Sequence, residues 1–190
     1  MADILRPDTG VIFMKVGTHA QEPLNEIIAR KKREIEEAGF ALWGYGGSTC
    51  HPLTTVQPFA RGYERRNGVI YLWMQPMDSK HFAVTERAGE YSIDGLHWQP
   101  VPDAINVVGS RYALAIQGLH EDQFDLPLSQ TRVAIGNSIG RPGSSYITGR
   151  VDKACLELVD DNQPVSGEAR TVPIRLVAQL VQPYAVLLRN

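Results

Sequence analysis

Cysteine is scarce: Cys50 and Cys155 are the only two in 190 residues, too few for a disulfide scaffold and in keeping with a reducing compartment. The five histidines show no metal-ligand spacing such as His-x-x-x-His, so neither a structural zinc site nor any cofactor is expected. No apolar run approaches the roughly 18 residues of a membrane helix. Met1-Ala2-Asp3-Ile4-Leu5-Arg6-Pro7 lacks the basic and apolar stretches of a signal peptide, and the expectation is a cytoplasmic protein with no membrane partner. A surplus of one charge is also missing. With 19 basic and 21 acidic residues the net charge is −2, which argues against binding duplex nucleic acid through its phosphates. There is no phosphate-binding Gly-Lys-Ser/Thr loop, no dinucleotide fingerprint, and no carboxylate pair that stands out as general acid and base.

What is present is a 43% hydrophobic chain able to bury a core. Residues 10–17 read as a strand whose nearly continuous apolar run implies burial on both faces. Residues 23–38 read as one amphipathic helix: Pro23 suits its first turn, Leu24, Ile27, Ile28, Ile35 and Ala38 keep the period, and Gly39 ends it. Lys31 is the only polar break in that stripe. The run Arg30-Lys31-Lys32-Arg33 is expected to be a solvated face, since glutamates stand at pairing distance. Further strands are expected over 40–43, over 68–74 with a stop at Pro76, and over 81–86, 111–116, 132–135 and 147–158; 91–98 reads as a hairpin turning at Asp94-Gly95. Residues 53–67 give no clear period. The chain is thus expected to be α+β, a mostly antiparallel β-sheet with one principal amphipathic helix, forming a single domain over 1–160. Residues 161–190 are expected to be a linker and a C-terminal apolar arm, or edge strands of the same domain, because Pro173 and Pro183 suit a central strand poorly.

The segment from Gly44 to Pro52 departs most from ordinary core and surface needs. Glycines Gly44, Gly46 and Gly47 free the backbone to approach an anion, with Ser48 and Thr49 as hydroxyl donors. Trp43 and Tyr45 offer flat faces to a base, and His51 offers a proton near neutral pH. Thr18 and His19, between the first strand and the helix, join this site if the two strands bring them together; a simple cap is the alternative. Beyond the polar stretch Gly136 to Tyr146, the cations Arg150 and Lys153 can neutralise phosphates, unless Asp152 cancels Lys153. These are the expected ligand contacts, and no catalytic set accompanies them. The alternatives are a small hydrolase or transferase using Cys50 or His51 with His19, and a protein-interaction module whose C-terminal segment pairs with another chain.

The opening block Ile12 to His19, with Trp43-Gly44-Tyr45-Gly46-Gly47, resembles small phage and prophage proteins. In size and character it is similar to viral sponge proteins that bind cyclic oligonucleotide immune signals, the anti-CBASS class. That resemblance implies a non-catalytic protein of the host-cell cytoplasm, a homo-oligomer holding a small nucleotide between subunits. A homo-oligomer is also expected from the apolar C-terminal segment, which must be covered by its own sheet or by a neighbour.

Overall fold

A computed structural model describes residues 9–81, 84–149, 151–159 and 169–190. Among them, nine strands form one large mixed sheet, and three helices accompany it. The central path runs β2 (Ala41–Tyr45), β6 (Tyr112–Pro127), β9 (Thr171–Arg189), β3 (Ile70–His81), β1 (Gly10–His19), β8 (Lys153–Leu158) and β7 (Thr131–Val133). Of the pairings only β1 with β3 is parallel. The short strands β4 (Glu90–Ser92) and β5 (Gln99–Pro100) form the hairpin expected around Asp94-Gly95, and β4 docks on β9. The fold is α+β.

β1 is apolar on both faces because it lies inside the sheet and both faces are covered. Ile12, Met14 and Val16 point into the main core, while Val11 and Phe13 point into a second cluster with Trp73, Leu126 and Leu156. Helix α1 (Leu24–Ala38) follows the expected period and stops at Gly39, whose φ of +82° lets its N–H reach the Ile35 carbonyl at 2.9 Å. Its apolar stripe packs on the main core beside β1, β2 and β6. Residues 53–67 hold a π turn (Pro52–Val56) and helix α2 (Gln57–Glu64), with Phe59, Ala60 and Tyr63 buried in the same core. The sheet curls around this core. β2 and β8 lie far apart in the strand order, yet Cys50 Sγ, just past β2, is 3.9 Å from Cys155 Sγ on β8.

Several expectations are corrected. The C-terminal segment is neither arm nor edge: β9 pairs with β6 on one side and with β3 and β4 on the other. Its prolines are tolerated because β3 pairs only with Leu176–Gln179 and β4 only with Leu187–Arg189, so Pro173 and Pro183 fall outside both. Pro76 does not end β3, which continues to His81; β9 has already left β3 at Met74, so that stretch is paired with β1 alone. Residues 84–86 form no strand, and 82–83 lie outside the described residues. β8 begins only at Lys153: the short helix α3 occupies Gly143–Tyr146, and residues 147–149 and 151–152 form no strand. β2 extends through Gly44 and Tyr45, so the glycine loop begins at Gly46. Of the expected linker over 160–169, residues 160–168 lie outside the described residues.

Candidate functional site

The C-terminal ends of β1 and β2 open onto a cavity of about 460 Å³, roofed by residues 107–111 and floored on one side by α1. That volume suits a small organic ligand. β1 contributes every residue from Met14 to His19, although a regular strand would present only alternate ones. Its pairing with β3 breaks after Val16, which faces Pro76 while Thr18 already faces Lys80, so regular alternation ends there. β2 contributes Trp43 to Tyr45, and the loop beyond it Gly46 and Gly47. From β8 comes Lys153, with Asp152 before it.

The roof is held by charge. Arg30 and Lys31 of α1 both donate to the Asn106 carbonyl, Lys31 Nζ at 2.8 Å, and the Asn106 N–H donates to Glu34 Oε1 at 3.0 Å. Glu34 in turn accepts from Lys31 Nζ at 2.8 Å and from Arg30 at 3.0 Å, and Arg30 also pairs with Glu22. Glu22 reaches Arg30 from a tight turn in which His19 and Glu22 exchange backbone bonds across Ala20 and Gln21, both at positive φ. The side chains of Lys31 and Glu34 are each only 3% exposed, so these charges are removed from water and must satisfy one another. Burial lowers the Lys31 ammonium from its ordinary 10.5 to about 8, with the Glu34 carboxylate opposing the shift. The basic run is therefore not a solvated face at Arg30 and Lys31.

The roof itself approaches β2 because Gly44 has no side chain. A Cβ there would overlap Ser110 Oγ and lie 2.9 Å from both Ser110 Cβ and Val107 Cγ2. Opposite, the His19 imidazole Nε2 lies 3.1 Å from the Val108 carbonyl and 3.3 Å from Ser110 Oγ, tying β1 to the same roof.

The anion-friendly end lies at Gly46 and Gly47. Nothing stands within 4 Å of a Cβ built on Gly46. Gly47 adopts φ +90°, and the Lys153 ammonium is 3.5 Å from where its Cβ would be. Lys153 is 4% exposed, its Nζ lies 6.0 Å from the Tyr45 ring centroid, and its counter-charge is Asp152 Oδ2 at 2.8 Å. Lys15 Nζ donates to the Gly149 carbonyl at 3.2 Å, and Arg111 lines the rim. Lys15, Lys153 and Arg111 set against Asp152 leave this end cationic, which favours an anionic ligand.

Of the expected contacts, Thr18, His19, Trp43, Tyr45, Gly46, Gly47 and Lys153 are brought to one cavity. Trp43 and Tyr45 are walls rather than open stacking platforms, each 5% exposed, and the Tyr45 hydroxyl donates to the Cys50 carbonyl at 2.6 Å. Ser48 and Thr49 do not line the cavity, because the chain turns away after Gly47. Neither does His51. Its Nδ1 accepts from the Leu53 N–H at 3.3 Å and its ring packs edge-on against Tyr112, so it caps the π turn. Arg150 lies outside the described residues. Lys15, Arg111, Ser110 and Asp152 also line the cavity, and local sequence carries little signal for them beyond Lys15 interrupting an apolar strand and Asp152 standing beside Lys153.

The cysteines take no part in this surface. Their sulfurs face each other in the core, and the hydrogen bond they share, with burial, raises the Cys155 thiol well above its ordinary value. Among the described residues no cluster of three or more His, Cys, Asp or Glu side chains can hold a metal ion. Nor is any helix among them long and apolar enough to cross a membrane. No family model matches the chain, and no curated protein or solved structure is significantly similar to it.

Proposed function

We propose that this chain binds and sequesters a small phosphate-bearing nucleotide in the cavity between β1, β2 and residues 107–111, without converting it. One observation carries the reading: a buried, nearly solvent-free ammonium, Lys153, meets an open glycine turn in the same 460 Å³ cavity whose walls are Trp43 and Tyr45. A phosphate suits the first pair and an apolar base the second. A cyclic oligonucleotide signal is the ligand class that the resemblance to viral sponge proteins implies. Cys50 in the core and His51 engaged as a cap support this reading over a hydrolase using them with His19. The C-terminal segment on which the interaction-module reading rested is covered within its own sheet, and the homo-oligomer keeps the support of the sponge resemblance.

A thermal-shift panel of cyclic di- and trinucleotides, mononucleotides and ADP-ribose derivatives tests the reading. A ligand at a hundred times its Kd adds about 2.7 kcal/mol to folding, roughly 5–10 °C for a chain of this size. Chromatography should return the bound ligand intact. Gly47→Val, which forces a β-branched side chain into a positive φ and crowds the Lys153 ammonium, should remove the shift while most of the melting temperature is kept. No shift with any member, or a consumed ligand, would contradict the proposal.

A further inference from the structure

The contact between Asp152 and Lys153 defines what this cavity selects. Asp152 immediately precedes β8, in which alternation turns neighbouring side chains to opposite faces. It nevertheless places Oδ2 2.8 Å from Lys153 Nζ. The two partners differ in surroundings: the lysine side chain is 6% exposed and the aspartate 53%. A buried ammonium needs an anion beside it at all times, whereas a half-exposed carboxylate returns to water at small cost. The space next to the ammonium on the loop side is bounded by Gly47, which offers backbone and no side chain, and Gly46 beside it is open.

We infer that the Asp152 carboxylate is an internal stand-in for a ligand phosphate: it satisfies Lys153 in the empty cavity and is displaced to solvent when a phosphate ester enters between Lys153 and Gly46–Gly47. The inference rests on the nucleotide reading only in placing an anion in this cavity. It makes Asp152 a selectivity residue. A neutral nucleoside cannot replace the lost counter-charge, and a carboxylate merely exchanges like for like. Inorganic phosphate or a phosphate monoester, as a dianion, brings more charge and more acceptor oxygens and gains most on displacement, whereas the phosphodiester of a cyclic nucleotide brings a single charge and gains less.

Inorganic phosphate is the probe, titrated at neutral pH into the full chain and followed by backbone amide NMR, with acetate as the matched carboxylate. Wild type should shift the amides of Gly46, Gly47 and Lys153 with phosphate and not with acetate. Asp152→Asn removes the competing charge at an exposed side chain and should tighten phosphate binding about fivefold, the upper range for a half-exposed ion pair. Lys153→Met should abolish the response, its spectrum elsewhere reporting that the fold is retained. Phosphate binding that is equal or weaker in Asp152→Asn would overturn the inference, since the carboxylate would then orient Lys153 rather than compete for it. Equal responses to acetate and phosphate, or no response at these amides, would overturn it as well. If nucleotides bind in the thermal-shift panel and Asp152→Asn does not tighten phosphate, this inference alone falls. If phosphate behaves as stated and no nucleotide binds, the nucleotide reading alone falls.

Discussion

Glu34→Gln is expected to destabilise the protein by about 3 kcal/mol, roughly 10 °C in melting temperature, although it changes no more than one atom's chemistry. Among the described residues Glu34 is the one carboxylate paired directly with Lys31, and both side chains are 3% exposed, so the substitution leaves a buried ammonium without its nearest counter-charge. The same residue accepts the Asn106 N–H at 3.0 Å, so the roof of the cavity loosens at its anchor. Lys31→Met is the informative contrast. It leaves Glu34 paired with Arg30 at 3.0 Å and fills the site with an apolar chain of similar length, so its cost should be much smaller. The two variants also differ in pH dependence. Lys31 titrates at about 8 when folded and near 10.5 when unfolded, so between those values the unfolded chain holds more protons and stability rises with pH. Burial of the charged amine thus penalises folding fully below pH 8, and the penalty is relieved as the pH approaches 10.5. Melting curves across that window should rise more steeply in wild type than in Lys31→Met. Parallel curves, or a Glu34→Gln protein as stable as wild type, would show that the charges are wetter than their burial indicates.

Gly44→Ala should cost about 2 kcal/mol and also weaken ligand binding, because one methyl group there cannot coexist with residues 107–110. The added carbon would overlap Ser110 Oγ and stand 2.9 Å from Ser110 Cβ, an atom fixed to the backbone, so the roof segment must move as a piece. Two comparisons isolate this cause. Gly46→Ala, two residues on, meets nothing within 4 Å and should leave stability near wild type. Adding Ser110→Gly to Gly44→Ala removes the overlapping side chain and should recover part of the loss, a coupling that independent sites would not show. If Gly44→Ala melts like wild type, the roof does not sit on β2 as described.

Elements with a strong local period were legible in the sequence. α1 and β1 follow from apolar spacing and from Gly39, and even the oddity of Lys31 within the stripe of α1 was visible, though not its burial against Glu34. The misreadings share a cause, which is that local rules assume the commonest surroundings. Proline was taken to bar β9 from the interior, but the rule concerns a strand paired on both sides at the proline itself, and Pro173 and Pro183 avoid that. Composition groups Gly44 with Gly46 and Gly47 as an anion-binding segment; it is a strand residue kept small for close packing, and so Trp43 and Tyr45 are buried walls instead of loop aromatics. His51 has the composition of a ligand contact and the position of a cap. The gathering of Thr18, His19, Gly46, Gly47 and Lys153 depends on a curled sheet that no local pattern encodes, and the roof from Val107 to Arg111 arrives from a distant part of the chain. Residue types announced the site; its boundary came from topology.

A nucleotide is expected to occupy this cavity and no other surface. Photoaffinity labelling with azido-adenine and azido-guanine nucleotides, followed by peptide mass spectrometry, tests it most directly. Labelling should fall on peptides carrying Trp43 to Gly47 or Val107 to Arg111 and be suppressed by an excess of unmodified nucleotide. Suppressible labelling confined to another surface, such as the exposed Gly136–Arg141 loop, or labelling that unmodified nucleotide does not suppress, would contradict it.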